Sequence, residues 1–177
     1  MISYHLNHIN TICKKAFLRC HQLLRTIYTT NPKIWGNLFK TYILPLLEYA
    51  SPIWNSKNKE LTKTIERVLR FYSRSALIKC KRKNLKYRDR LNLLNLEPLY
   101  IKRYYIDLVT LYKIIFNYTN LKPADLFTLN PRPSRQHDYL IQLTHKTEIT
   151  SNSFINRTIN LWNSLPKNIF VGHTDEI

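Results

Sequence analysis

Glycine is almost missing from this chain of 177 residues, which carries only Gly36 and Gly172. That scarcity excludes a glycine-rich phosphate loop, of either the GxxxxGK or the dinucleotide kind, because both bring bare backbone against the phosphate. Acids are scarce too. Eleven Asp and Glu stand against 28 Lys and Arg, so a net charge of +17 remains even if every acid is paired. A field of that sign favours nucleic acid or an anionic membrane surface and says nothing about fold. Cysteine is limited to Cys13, Cys20 and Cys80, an odd count with no secretory signal ahead of it. A disulfide framework is therefore not expected, and a reducing, intracellular compartment is. Without a route to secretion, the N-x-T sequons at Asn117 and Asn156 are not expected to be glycosylated. The longest apolar run, residues 42–50, contains Pro45 and Glu48 and is too short to span a bilayer, so no membrane partner is expected.

The chain nevertheless has the means to pack. Its hydrophobic content is 44% with 12% aromatics, which predicts one core with an appendage rather than disorder. The periodicity is that of a mainly α protein: a helical bundle over residues 1–117, a proline-rich loop or extended linker over 118–150, and a C-terminal helix and tail over 151–177.

Residues 59–90 organise the rest. Leu61, Ile65, Val68, Leu69, Tyr72 and Ala76 fall on one arc of a helix predicted over 59–78, while Lys63, Arg67, Arg70 and Arg74 fall on the other side. Like charges at this spacing repel, and only Glu60 and Glu66 dilute them. Lys79, Lys81, Arg82, Lys83 and Lys86 follow in a loop that breaks the period, then Arg88 and Arg90, with Asp89 as the one acid among them. Such a face is either simply solvated or built for a polyanion.

Flanking elements read as support. Residues 2–28 form an amphipathic helix through Ile9, Ile12, Ala16, Phe17, Leu23, Leu24 and Ile27. Asn31 and Pro32 cap and start a second helix striped by Trp35, Leu38, Phe39, Tyr42, Ile43, Leu46 and Leu47, which Pro45 should kink or end. Glu48, among apolar neighbours, needs a salt bridge or cap. After a turn near Glu97 and Pro98 another helix carries Ile101, Tyr105, Leu108, Tyr112, Ile115 and Phe116 inward, with Lys102 and Arg103 off the stripe and Asp107 within reach of Arg103 at i, i+4. Residues 139–144 alternate as a short extended segment. Ser151 or Asn152 can cap a final helix that turns Phe154, Ile155, Ile159 and Trp162 inward and stops before Pro166; the tail after Ile169 shows no pattern.

Catalytic signatures are lacking. Asp89, Asp107, Asp125, Asp138 and Asp175 are scattered, whereas two-metal nucleotidyl transfer needs carboxylates converging on Mg²⁺. His5, His8, Cys13, Cys20 and His21 have the chemistry of zinc ligands but not the spacing, and the cysteines fall within the apolar arc.

Three blocks in order, TYILPLLEYASPIWN (residues 41–55), IERVLRFYSR (65–74) and NSFINRTINLWNSLP (152–166), with YRDRLNLLNLEPLYIKRYYIDLVTLYKI between the last two, resemble a known family. The family is the reverse transcriptases of non-LTR, jockey-like retrotransposons, in the thumb and the start of the C-terminal region. Val68, Leu69, Arg70 and Phe71 depart from the Gln-containing pattern usual there. The resemblance implies a helical thumb-like bundle that grips a template–primer duplex, an RNA–DNA or DNA duplex held mainly by its phosphates. It implies no catalysis and no cofactor in this chain, with Mg²⁺ and the paired aspartates in a palm upstream, so that Met1 is an internal start. It further implies nuclear localisation and a polymerase palm domain as a second partner. Lys63, Arg67, Arg70, Arg74, Lys79, Lys81, Arg82, Lys83 and Lys86 are then the nucleic-acid-binding residues. The alternatives are a helical interaction module that docks through apolar surface including Trp35 and Trp54, or a remnant of a mobile element without function.

Overall fold

The structure, a computed structural model, describes residues 2–129, 139–142 and 153–170, with side chains from Leu6 onward. Among them are eight α-helices and no strand beyond an isolated antiparallel bridge between Leu129 and Ile141, so the fold is mainly α. The helices are α1 Ile2–Thr26, α2 Pro32–Tyr42, α3 Leu44–Glu48, α4 Ser51–Trp54, α5 Lys59–Lys79, α6 Tyr87–Leu94, α7 Leu99–Ile115 and α8 Phe154–Asn163. Two compact units are formed, Met1–Arg103 and Tyr104–Ile177, and each has its own hydrophobic core where one core with an appendage was expected. The division falls inside α7, earlier than the change of composition at Asn117.

In the first unit α1 packs on α5, and α2 packs on α3 and α6. Ile9, Cys13, Ala16 and Cys20 of α1 are buried with Ile65, Val68, Leu69, Tyr72 and Ala76 of α5 in one cluster, as the two periodic stripes predict. Asn31 caps α2 by accepting from Lys33 N–H at 3.0 Å. Pro45 lacks an N–H and stops α2 at Tyr42, after which α3 starts afresh with that proline in its first turn. Tyr42 is thereby left half-exposed at 51%, against the expectation for its stripe. Gly36 permits the close approach of α2 to α6: a Cβ there would lie 1.9 Å from the carbonyl oxygen of Leu94. Glu48 reaches Lys102 Nζ at 3.7 Å, the salt bridge that its surroundings called for, although burial still pushes its carboxyl up and Lys102 only partly offsets this.

Helices here must end without glycine, and they do so by forcing other residues left-handed. Lys81, Asn95 and Asn117 have φ of 58, 51 and 55°. In each case the following N–H returns to a carbonyl five residues back: Arg82 to Leu77 at 2.9 Å, Leu96 to Leu91 at 2.9 Å, Tyr118 to Lys113 at 2.8 Å. These are Schellman ends of α5, α6 and α7, closed at some backbone strain.

The second unit buries Leu111, Ile114, Ile115, Phe127, Tyr139, Ile141, Ile159, Trp162 and Phe170. The inward side of α7 differs from the expected stripe. Ile101 and Tyr105 are exposed, while Asp107 and Leu111 are buried together with Arg103 at the preceding turn. Leu108, Tyr112, Ile115 and Phe116 of the expected stripe do face the second core, but Arg103 and Asp107 occupy inner positions that an apolar count passes over. Asp107 accepts from Arg157 of α8, Nε at 2.8 Å and Nη2 at 3.0 Å, a partner far beyond the i, i+4 reach considered for it. Within 139–142 only Ile141 makes a bridge; its N–H donates to Asn163 Oδ1 at 3.0 Å and Asn163 Nδ2 donates to Ile141 O at 2.9 Å. Residues 143–144 of that predicted segment lie outside the described residues. So do Ser151 and Asn152; the cap of α8 is Ser153, which accepts from Asn156 N–H. Phe170, where no pattern was legible, is buried against Trp162.

Candidate nucleic-acid interface

Asn58 starts α5 by accepting from the N–H groups of Glu60 at 2.8 Å and Leu61 at 3.4 Å, which fixes the rotation of the helix on the core. With its apolar stripe buried, the opposite face must point to solvent, and Lys63, Arg67, Arg70 and Arg74 are all exposed. From the first to the last they run roughly 17 Å at the helical rise. Lys63 Nζ lies 2.8 Å from Glu60 Oε1, a well-exposed pair that holds the Glu60 carboxyl below its usual range yet leaves the lysine open to exchange partners.

Glu66 does not dilute this face. It is buried at 6% exposure, accepting from Tyr87 Oη–H at one carboxylate oxygen and from the backbone N–H of Leu99 at 3.1 Å at the other. Tyr87 is thereby pinned, its phenol pushed far above the ordinary range by burial and by Glu66. The guanidinium of Arg70 lies over the Tyr87 ring at 4.2 Å and that of Arg90 at 5.4 Å, while Arg90 Nη1 donates to Arg70 O at 3.3 Å. Burial lowers the Arg90 guanidinium from its ordinary value; Tyr87 opposes this, and Arg74 and Arg70 add repulsion. Tyr87 and Glu66 thus orient cations from beneath, a role hidden in the sequence because the partners are remote from one another along the chain.

The left-handed turn at Lys81 folds the basic loop back on the end of α5. The result is a recess of about 460 Å³ around which Arg74, Arg82, Lys83, Lys86 and Arg90 converge. Four of the nine expected site residues meet there, and Arg90, read only as part of the basic run, joins them. Arg70 adjoins through Arg90. Lys63 and Arg67 stand farther up the helix. Lys79 is diverted: its ammonium sits over the Tyr28 ring at 4.7 Å and lines a separate recess with Tyr28, Thr29 and Thr30. Lys81 is exposed in the turn without lining the basic recess.

No cluster of three His, Cys, Asp or Glu that could hold a metal occurs among the described residues. Burial raises the thiols of Cys13 and Cys20 to about 11 and about 12, so both are protonated and poor ligands near neutrality. No helix among the described residues is long and apolar enough to cross a membrane. Trp35 and Trp54 are buried at 0% and 5%, and cannot form the docking surface considered for them; Tyr49 and Ile53 are the apolar side chains exposed nearby, at 83% and 78%.

No known family profile matches the chain, and no solved structure matches it. Over 84 residues it is 40% identical to an uncharacterized protein of Caenorhabditis elegans, a stretch that covers 48% of this chain and 42% of that protein. The chain therefore spans less than half the length of this curated relative, whose description names no activity.

Proposed function

We propose that the protein grips a nucleic-acid duplex through the outer face of α5 and the basic loop behind it, as the thumb of a non-LTR retrotransposon reverse transcriptase. In this reading the chain contributes grip and not chemistry, and Mg²⁺ and its aspartates belong to a palm domain. The observation that carries the reading is the row of four exposed cations on a helix whose other face is locked in a core. Lysine and arginine so presented neutralise phosphates without reading base edges, so affinity depends on salt and hardly on sequence. An RNA–DNA hybrid engaging Lys63, Arg67, Arg70 and Arg74 should give a log-log salt slope of roughly −3 to −4. Changing all four to Glu should abolish binding. A slope near zero, or affinity unchanged by the four substitutions, rejects the proposal.

The exposed Tyr49, just after α3, and Ile53 of α4 favour a second role for this corner, as the place where such a palm docks. Light scattering of the isolated chain should then show self-association that Tyr49→Ser with Ile53→Ser removes.

A further inference from the structure

The recess at the end of α5 differs in kind from the face above it. The face is a convex rod, which suits the outside of a duplex. The recess is concave, and its cations arrive from three elements: Arg74 from α5, Arg82, Lys83 and Lys86 from the loop, and Arg90 from α6. Its lining is also partly apolar, with Ile78 at 47% exposure and half-buried Leu85 among the cations. Arg90 Nη1 is tied to Arg70 O at 3.3 Å, which gives the guanidinium a fixed direction at the wall of the recess. A site for bare anions needs no apolar wall. One that joins cations to apolar surface, at about 460 Å³, has the size and mixture of a small-ligand site. A base pair inside a duplex cannot enter it, because its bases are stacked and paired; an unpaired nucleotide can.

We infer that this recess takes one unpaired nucleotide, with its phosphate among Arg74, Arg82 and Arg90 and its base against Ile78 and Leu85. The inference rests on the reading of α5 as a polyanion interface and gives that interface a single-stranded subsite beside its duplex face.

The test compares a blunt RNA–DNA hybrid with the same hybrid carrying a short single-stranded RNA overhang, by fluorescence anisotropy of the full chain. The overhang should tighten binding about tenfold, through one more neutralised phosphate and a base laid on apolar surface. Ile78→Ser, at an exposed position, should remove that advantage and leave blunt-end affinity within about twofold; Leu85→Ser should do the same if the first variant misfolds. Lys63→Ala with Arg67→Ala should weaken both hybrids equally. Equal affinity for blunt and overhanging hybrids, or an overhang advantage that survives in Ile78→Ser, overturns the inference while leaving the duplex grip standing. Failure of both hybrids to bind overturns both. Uridine monophosphate alone should bind weakly and lose its effect in Ile78→Ser; affinity equal to the overhang would make a free nucleotide, and not a strand, the occupant and overturn the strand-held reading.

Discussion

Residues 1–103 and 104–177 each bury a carboxylate, and they hold it by opposite means. Glu66 is met by neutral donors, a phenol and a backbone N–H, and the ring of that phenol carries Arg70 and Arg90 on its face. Asp107 is met by the guanidinium of Arg157, both side chains almost wholly enclosed, so its charge is cancelled where it lies. One arrangement organises cations at the surface; the other locks α8 onto α7 and presents nothing. The difference implies an order of cost. Arg157→Ala takes a bidentate guanidinium away from a carboxylate in the interior and should destabilise by about 3–5 kcal/mol. Glu66→Ala strands the Leu99 N–H, whereas the half-buried Tyr87 can turn to water, so about 1–3 kcal/mol is expected. Urea unfolding of the two variants gives the ranking, and amide exchange should quicken first in α8 for Arg157→Ala and around Tyr87 for Glu66→Ala. A larger loss from Glu66→Ala would break the contrast. Replacing both Asp107 and Arg157 by Leu should recover part of the loss from Arg157→Ala, since an apolar pair of similar volume removes two buried charges, though Arg103 stays enclosed beside it.

The same contrast explains how much was legible in the sequence. Helix α5 was, because a period of 3.6 puts Leu61, Ile65, Val68, Leu69, Tyr72 and Ala76 on one arc and Lys63, Arg67, Arg70 and Arg74 on the other. Asn31 with Pro32, and Pro45, marked the limits of α2 because their effects are local. Glu66 was misplaced on the cationic side for the opposite reason: what draws it inward lies 21 and 33 positions away. On α7 the stripe is legible from Leu108 onward and not in the first half, because Arg103 and Asp107 occupy core positions and count as polar in any periodicity. The recess was invisible, since it depends on a left-handed lysine that no pattern anticipates.

All three cysteines lie in the first unit, which makes alkali a way to sharpen the comparison. An unfolded thiol titrates near its ordinary value of 9.0, while Cys13 and Cys20 wait until about 11 and about 12 in the folded chain because burial disfavours the thiolate. Between those values the folded state binds more protons than the unfolded one. Stability is therefore constant below pH 9 on this account and falls as pH rises above it, by up to about 1.4 kcal/mol per pH unit for each thiol. Denaturant midpoints from pH 8 to pH 10.5, in the presence of reductant, should show that decline in the wild type. Cys13→Ala with Cys20→Ala should be less stable at pH 8 yet flatter with pH. An equally steep decline in the double variant would assign the alkaline sensitivity to other groups of the same unit, Cys80 first, whose thiol burial also raises, then Tyr72 and Tyr87.

The smallest effect concerns the helix ends, where both units meet one shortage with asparagine and the first also uses a lysine. Asn95 and Asn117 enter the left-handed region with little strain, because a short polar side chain tolerates it. Lys81 has no such help, and its strain of about 1–2 kcal/mol is the kind glycine relieves. Glycine also loosens the unfolded chain by about 0.4–1 kcal/mol, which offsets part of the gain. Lys81→Gly should thus stabilise by up to about 1 kcal/mol, and Asn117→Gly should be neutral or slightly destabilising, as read from urea midpoints of the two. The binding consequence runs the other way from the charge count. Lys81 does not line the recess, so the loss of its ammonium should weaken hybrid affinity less than Arg82→Ala does, although each removes one positive charge from the same loop. If both substitutions weaken binding to the same extent, net charge governs the loop and the converging geometry around the recess contributes nothing of its own.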